Sequence, residues 1–588
     1  MPSEHISTET RNPARTRLTR RGFLDGALGL AGAAAAATMM ETNPAKAFAA
    51  TAIEPNGALN PSLFPQHRTI NASSKDALVE TDSGKIKGYI SRGIYTFKGV
   101  PYGDDTGGAN RFTMAQKPRP WAGVRSCMAY GRTCPQPFRT GWNANESAWM
   151  FHWSDGVPGE DMLRLNVWSP AINDNRKRAV MFWIHGGGYT AGSAEEQAGY
   201  DGENLAKHGD VVVVSINHRL NVLGFLNLEK YGEQFKHSGL VSQLDIVTAL
   251  QWVRDNIANF GGDPNSVTIF GQSGGGGKVT YLMNMPAAKG LFHRAIMESA
   301  SKPHNLGPEP SLQFSQYTLE ELQIPGSRVA DVQQFPYDKL LAAANRALRR
   351  QRASLPPQRK GGLRQSGSNV GWQPYVDGEV IPSAAYYPTA PVLTREVPVL
   401  IGSTLNEFIT AIDHPNYEEM SWDELNKRVE TALPGKGKEA IEIYRHNSPD
   451  ASAFAIWSQM NATTAMRRNA HEIAKQKAAQ GTPAFNYQFR WQTPVLDGRP
   501  MAFHCSEIAF AFHNSDVART MTGGGDDARA LAQKVGGAWV AFAKTGNPSH
   551  PGLPNWESVQ SDRVPLMRFN NECELKINPD DDELRITA

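Results

Sequence analysis

Apolar and polar positions follow no period over the first 75 residues, then settle into a regular pattern from Ala77 onwards. Short runs rich in β-branched residues alternate with stretches of helical spacing, which predicts a mainly parallel sheet with crossover helices. Runs 179–184, 211–216 and 266–270 are almost continuously apolar. Strands covered by helices on both faces lose the polar–apolar alternation, so these three are placed at the centre of the sheet. Between the last two, residues 245–258 carry Ile246, Leu250, Val253 and Ile257 at the spacing of one helix face. Asp263-Pro264 then turns the chain into the next strand. Further strands are predicted at 397–402 and 485–491, and a closing helix at 528–545. Residues 303–370 read as polar and irregular, and no internal repeat is present.

Composition narrows this α/β picture. With 588 residues, 40% apolar and 20% charged, the chain belongs with folded globular proteins. Its length would hold three or four ordinary domains, although large α/β enzymes run as one body. The 54 Gly and 38 Pro call for many turns and long loops. Net charge is +2, and the first 49 residues hold six basic against four acidic side chains, so the remainder is neutral. A neutral body gives no reason to expect nucleic acid or an anionic membrane as partner.

The first residues read as an address. Thr19-Arg20-Arg21-Gly22-Phe23-Leu24 is a twin-arginine pair, followed by a modest apolar stretch at 27–40 and small residues at Ala45, Ala47 and Ala49. The stretch is short of the roughly 20 apolar residues a membrane span needs. Residues 1–49 therefore read as a Tat-type signal peptide removed on export, with Asp25 where such signals often carry Lys. Residues 50–76 read as a linker and 77–588 as a single catalytic domain. The expected location is periplasmic or secreted, with no stable membrane anchor after signal removal. Oligomeric state is not legible. Cys127, Cys134, Cys505 and Cys573 show neither a disulfide framework nor metal-ligand spacing. A Cys127–Cys134 bridge and free thiols both remain open.

Gly271-Gln272-Ser273-Gly274-Gly275 fits G-x-S-x-G, between the apolar run ending at Phe270 and a helix-capable segment. That is the strand–turn–helix setting of a nucleophile elbow, in which Ser273 is held in a strained turn and flanking side chains would obstruct it. The rival reading, a phosphate-binding loop, needs a G-K-[ST] ending, and Gly277-Lys278-Val279 does not supply one. His185-Gly186-Gly187-Gly188 follows the run 179–184. Bare glycines let consecutive N–H groups point at one oxyanion. Gly187, Gly188 and Gly274 are thus the candidate oxyanion-hole donors.

The chain resembles the type-B carboxylesterases, the α/β-hydrolase group that includes the cholinesterases. The resemblance rests on Phe97-Lys98-Gly99-Val100-Pro101-Tyr102, Gly159-Glu160-Asp161-Met162-Leu163, Asn259-Phe260-Gly261-Gly262-Asp263-Pro264, Leu291-Phe292-His293-Arg294-Ala295-Ile296 and Gly546-Asn547-Pro548, over roughly residues 78–567. It implies an α/β-hydrolase fold with long loop and helical insertions over the active site. It also implies a triad of Ser273, Glu407 and His504, in the chain order of that fold. The implied activity is hydrolysis of a small or aromatic carboxylic ester through an acyl-enzyme, with no metal or cofactor. Alternatives are a catalytically silent binding protein on the same fold, or cleavage of a related amide or carbamate.

Four positions depart from the family's usual pattern. Gln272 stands where a carboxylate is common, which argues against choline esters. Gly274 replaces a frequent Ala. Met162 replaces a Cys that bridges to the region of Cys134, so the resemblance implies no such disulfide. Phe408 follows the acid where Gly is common. Trp142, Trp149, Phe151 and Trp153 lie where relatives wall the substrate gorge, and are read either as that wall or as packing. Arg346, Arg349, Arg350, Arg352, Arg359, Lys360 and Arg364 are read either as a basic rim for acidic substrates or as a solvated helix end.

Overall fold

Alternate residues of the most apolar strand go to opposite sides of the sheet. Along Arg178–Ile184, Val180, Phe182 and Ile184 enter one buried cluster, and Ala179, Met181 and Trp183 enter the other. This is why residues 179–184 carry no polar side chain. The structure, a computed structural model, describes residues 69–588 apart from 138–143, 155, 304, 356–362 and 364–369. The predicted signal peptide and most of the predicted linker lie outside the described residues, as do Trp142, Arg359, Lys360 and Arg364.

Residues Thr69–Ala588 form one compact unit. Its large sheet has twelve strands. They are β1 (Ile70–Asn71), β2 (Tyr89–Ser91), β3 (Ile94–Pro101), β4 (Arg164–Ser169), β5 (Arg178–Ile184) and β6 (Val212–Ile216). After these come β7 (Gly262–Gln272), β8 (Arg294–Glu298), β9 (Val399–Thr404), β10 (Ala484–Phe489), β11 (Pro565–Phe569) and β12 (Glu574–Ile577). The spatial order is β1-β2-β3-β4-β6-β5-β7-β8-β9-β10-β11-β12. From β6 through β11 every neighbouring pair is parallel, and the outer pairs are antiparallel. This is the large, mostly parallel sheet of an α/β-hydrolase. A separate small sheet joins Leu78–Thr81, Gly84–Lys87 and Val124–Ser126.

The predicted strands are present at 178–184, 212–216, 399–404 and 484–489, and the closing helix runs Asp526–Thr545. Strand β7 starts earlier than its apolar run. Asp263 and Pro264 lie within it, where the pairing with β5 shifts register between Gly262 and Val267. The stretch read as irregular contains the helices Glu309–Glu321 and Tyr337–Ala353. The second hides Leu340, Leu341, Ala344, Ala347 and Leu348 on one face, a stripe that its many arginines obscure in the sequence. Arg346 and Arg350 pair with Glu321 and Glu320 of the preceding helix. The basic rim is in that part an ion-paired helix face. No helix among the described residues is long and apolar enough to cross a membrane.

Candidate active site

Parallel strands leave their C-terminal ends at one edge of the sheet, and the chemistry-bearing residues gather there. Gln272 ends β7, and Ser273 stands between it and the helix Gly274–Leu282 with φ 58° and ψ −121°. Packing against β5 forces this turn. A Cβ on Gly271 would lie 2.6 Å from the Ile184 carbonyl oxygen, and one on Gly275 only 2.0 Å from the same atom. The Ser273 N–H donates to the Glu298 carbonyl at 2.8 Å, and the Ser273 carbonyl accepts from the Gly277 N–H at 2.9 Å, which opens the helix. The elbow is thus tied to both neighbouring strands.

The glycine loop after β5 comes up against the same helix. A Cβ on Gly274 would meet the Gly188 nitrogen at 2.6 Å. Gly187 has φ 87°, and a Cβ there would lie 2.0 Å from the Ala191 carbonyl oxygen. Among the described residues no protein group accepts a hydrogen bond from the Gly187 or Gly188 N–H. Gly274 opens its helix, so its N–H has no acceptor within the helix. The buried Lys278 braces the loop, its Nζ donating to the His185 carbonyl at 3.0 Å. Burial pulls the Lys278 ammonium down to about 7.

Glu407 and His504 sit on two loops laced together by backbone hydrogen bonds. Asn406 N–H donates to the Ala502 carbonyl at 3.1 Å and His504 N–H to the Glu407 carbonyl at 2.8 Å. His504 Nδ1 is hydrogen-bonded to Glu407 Oε2, with both side chains buried. The other carboxylate oxygen, Oε1, accepts from Ser299 Oγ at 2.7 Å and from the Thr404 N–H at 2.9 Å. Strand ends, glycine loop and laced loops meet at one edge of the sheet, and the carboxylesterase family model matches residues 75–586.

The chain belongs to the carboxylesterase family. The para-nitrobenzyl esterase of Bacillus subtilis (strain 168) is 31% identical over 512 residues, covering 86% of this chain and 97% of that protein. A phenmedipham hydrolase of Pseudarthrobacter oxydans is 31% identical over 506 residues, covering 84% of this chain and 95% of that one. Among solved structures, an esterase from Clostridium hathewayi that can hydrolyze aliphatic aromatic polyesters superposes with a TM-score of 0.74 at 34% identity. That match covers 87% of this chain and 98% of the other. This carboxylesterase is accordingly a serine-dependent hydrolase of carboxylic esters on an α/β-hydrolase fold.

The carboxylesterase brings Ser273, Gly274, Gly187 and Gly188 together on one side, and Glu407 and His504 on the other. Ser273 Oγ makes no hydrogen bond to the His504 ring. The ring instead lies against Phe408, stacked at 3.8 Å between centroids, and against the Gln272 amide nitrogen, 3.3 Å from each ring nitrogen. In resting hydrolases such contacts are often long and tighten only with substrate bound. Of the aromatics read as gorge wall or as packing, Phe151 stacks on Trp153 at 4.7 Å and meets Phe503, the neighbour of His504, edge-on at 5.7 Å. Trp149 is 50% exposed. All four cysteines are free thiols.

Sequence reasoning missed the acids behind the site. Ser299 Oγ, which holds Glu407, also lies 3.4 Å from Glu507 Oε1. Glu298, fully buried beside it in the chain, accepts from Trp539 Nε1 at 2.7 Å. Glu298 and Glu507 each keep one buried carboxyl oxygen without a hydrogen-bond partner. Burial pushes both carboxyls above the ordinary range, and the Glu298 and Glu407 charges push Glu507 further. A raised carboxyl keeps its proton in the folded state after the unfolded chain has released it, so stability falls as pH rises above about 4.3. Glu298→Gln, which still accepts from Trp539, is expected to raise the urea midpoint at pH 8. At pH 4, where both states are protonated, it should change little. Each unit of displacement removed is worth about 1.4 kcal/mol. Equal shifts at the two pH values would show that Glu298 carries no such displacement.

Proposed function

We infer that Ser273 is the nucleophile of this esterase, His504 its proton shuttle and Glu407 the residue that orients the His. Gly187, Gly188 and Gly274 supply the oxyanion hole. The observation that carries the reading is the elbow itself. Ser273 is held at positive φ beside a glycine loop whose Gly187 and Gly188 N–H groups have no acceptor among the described residues.

In this reading His504 Nε2 takes the Ser273 proton as Oγ attacks the ester carbonyl carbon, and the carbonyl oxygen becomes an oxyanion facing the loop N–H groups. Glu407 keeps the Nδ1 proton in place and stabilises the transient imidazolium. Collapse expels the alcohol, which leaves with the proton from His504. Water, deprotonated by the same His, then attacks the acyl-enzyme and releases the acid. Small or aromatic esters are the proposed substrates, on the ground that relatives are named for a nitrobenzyl ester and for aliphatic aromatic polyesters. The twin-arginine stretch supports export, with the mature esterase in the periplasm or secreted.

The test pairs a short-chain nitrophenyl ester with a phosphonylating serine probe. Stoichiometric loss of activity with one adduct mapped to Ser273 is the expected result. An adduct elsewhere, or inactivation without one, removes the assignment.

A further inference from the structure

We propose that Phe408 and Gln272 clamp the two faces of the His504 imidazole and act as its positioning residues, a statement that rests on His504 being the proton shuttle. The Phe408 ring lies 3.8 Å from the imidazole centroid with the planes 28° apart, so it covers one face. Gln272 Nε2 is 3.3 Å from both Nδ1 and Nε2. An atom in the ring plane at equal distance from both nitrogens would collide with Cε1, so the amide lies over a face. Phe408 already occupies one face, and Gln272 therefore takes the other.

Each jaw is itself fixed. Gln272 is buried at the end of β7, directly before Ser273, and its Oε1 accepts from Cys505 Sγ at 3.2 Å. Phe408 directly follows Glu407, whose carboxylate takes the Nδ1 edge. With two faces and one edge held, turning of the ring about its Cβ–Cγ bond is opposed, which fixes the plane in which Nε2 lies. The clamp is built from the neighbours in sequence of the nucleophile and of the acid, so it moves with them.

The chemistry of the clamp is neutral. The titratable groups around the ring are Glu407, from the loop after β9, and Cys505 on the ring's own segment. Behind them, Glu507 lies against Ser299 Oγ beside Glu407, and the charges of Glu507, Glu407, Glu196 and Glu298 all act on the Cys505 thiol. Neither jaw carries charge, so the orientation comes from stacking on one side and an amide dipole on the other. A carboxylate at position 272 would hold the ring by charge and favour its protonated form.

The experiment measures kcat, KM and the pH profile of kcat/KM for a short-chain nitrophenyl ester. It compares the wild type, Phe408→Gly, Phe408→Tyr, Gln272→Glu and the Phe408→Gly/Gln272→Glu double variant. Phe408→Gly is expected to lower kcat about tenfold with KM within about twofold, because a misaimed base loses rate more than binding. Phe408→Tyr should recover most of that loss. Gln272→Glu should move the acid limb upward by about one pH unit, and in the double variant should restore part of the kcat that Gly costs. Unchanged kcat in Phe408→Gly, or equal losses in Gly and Tyr, would overturn the clamp. Should the Gly variant not fold, Phe408→Leu against Phe408→Tyr decides on the same terms, with equal kcat counting against stacking. A Ser273→Ala control separates the two failures: if it stays fully active, the triad assignment is at fault and not the clamp.

Discussion

Ser273→Ala is expected to lower kcat/KM for a short-chain nitrophenyl ester by about four to six orders of magnitude, with the unfolding midpoint close to that of the wild type. Activity and stability separate here for a structural reason. Among the described residues the Ser273 hydroxyl makes no hydrogen bond, and the elbow is held by its backbone and by Gly271 and Gly275 against Ile184. Alanine occupies the same positive-φ conformation with the same strain as serine, so the substitution removes only Oγ. The residual rate would come from the oxyanion donors acting on attack by water. A variant that keeps most of its activity would place the nucleophile elsewhere.

Glu407→Gln is expected to cost about three to four orders of magnitude in kcat. The carboxylate here serves three donors at once. Oε1 accepts from Ser299 Oγ and the Thr404 N–H, and Oε2 accepts from His504 Nδ1. An amide has a single acceptor oxygen. If that oxygen serves Ser299 and Thr404, the NH2 group faces Nδ1 and drives the ring proton to Nε2. The imidazole can then no longer take a proton from Ser273. If the amide turns over, Ser299 and the Thr404 N–H face a donor in a buried site and the loop must shift. Either arrangement disables the base, and its signature is loss of kcat with KM little changed. A loss below about tenfold would mean that Glu407 only packs against the ring.

The acids behind Glu407 bear on those variants. Glu507 lies against Ser299 Oγ, both Glu507 and Glu298 carry raised proton affinities, and the Glu407 charge is among the causes for Glu507, so a change at Glu407 also changes what Glu507 feels. Kinetic effects of Glu407→Gln are therefore best compared at one pH where folded fractions are equal.

What the sequence determined by itself is what short-range chemistry writes into it. The runs 179–184, 211–216 and 266–270 announced central strands, because burial on both faces removes the regular alternation of polar and apolar positions. The elbow and the glycine loop were legible because only glycine tolerates an Ile184 or Ala191 carbonyl at those distances, and that intolerance is local. Glu407 and His504 were reachable only through resemblance, since no spacing along the chain links residues that meet through two laced loops. The helices at Glu309–Glu321 and Tyr337–Ala353 were hidden because their apolar stripe is diluted by charges that pair across to the neighbouring helix. Tertiary structure alone decided that Ser299 holds Glu407, that Lys278 braces the glycine loop and that Phe408 and Gln272 face each other across the imidazole. Each of these depends on the order in which parallel strands are laid side by side. That order is settled by packing the whole sheet, and no local stretch of sequence carries it.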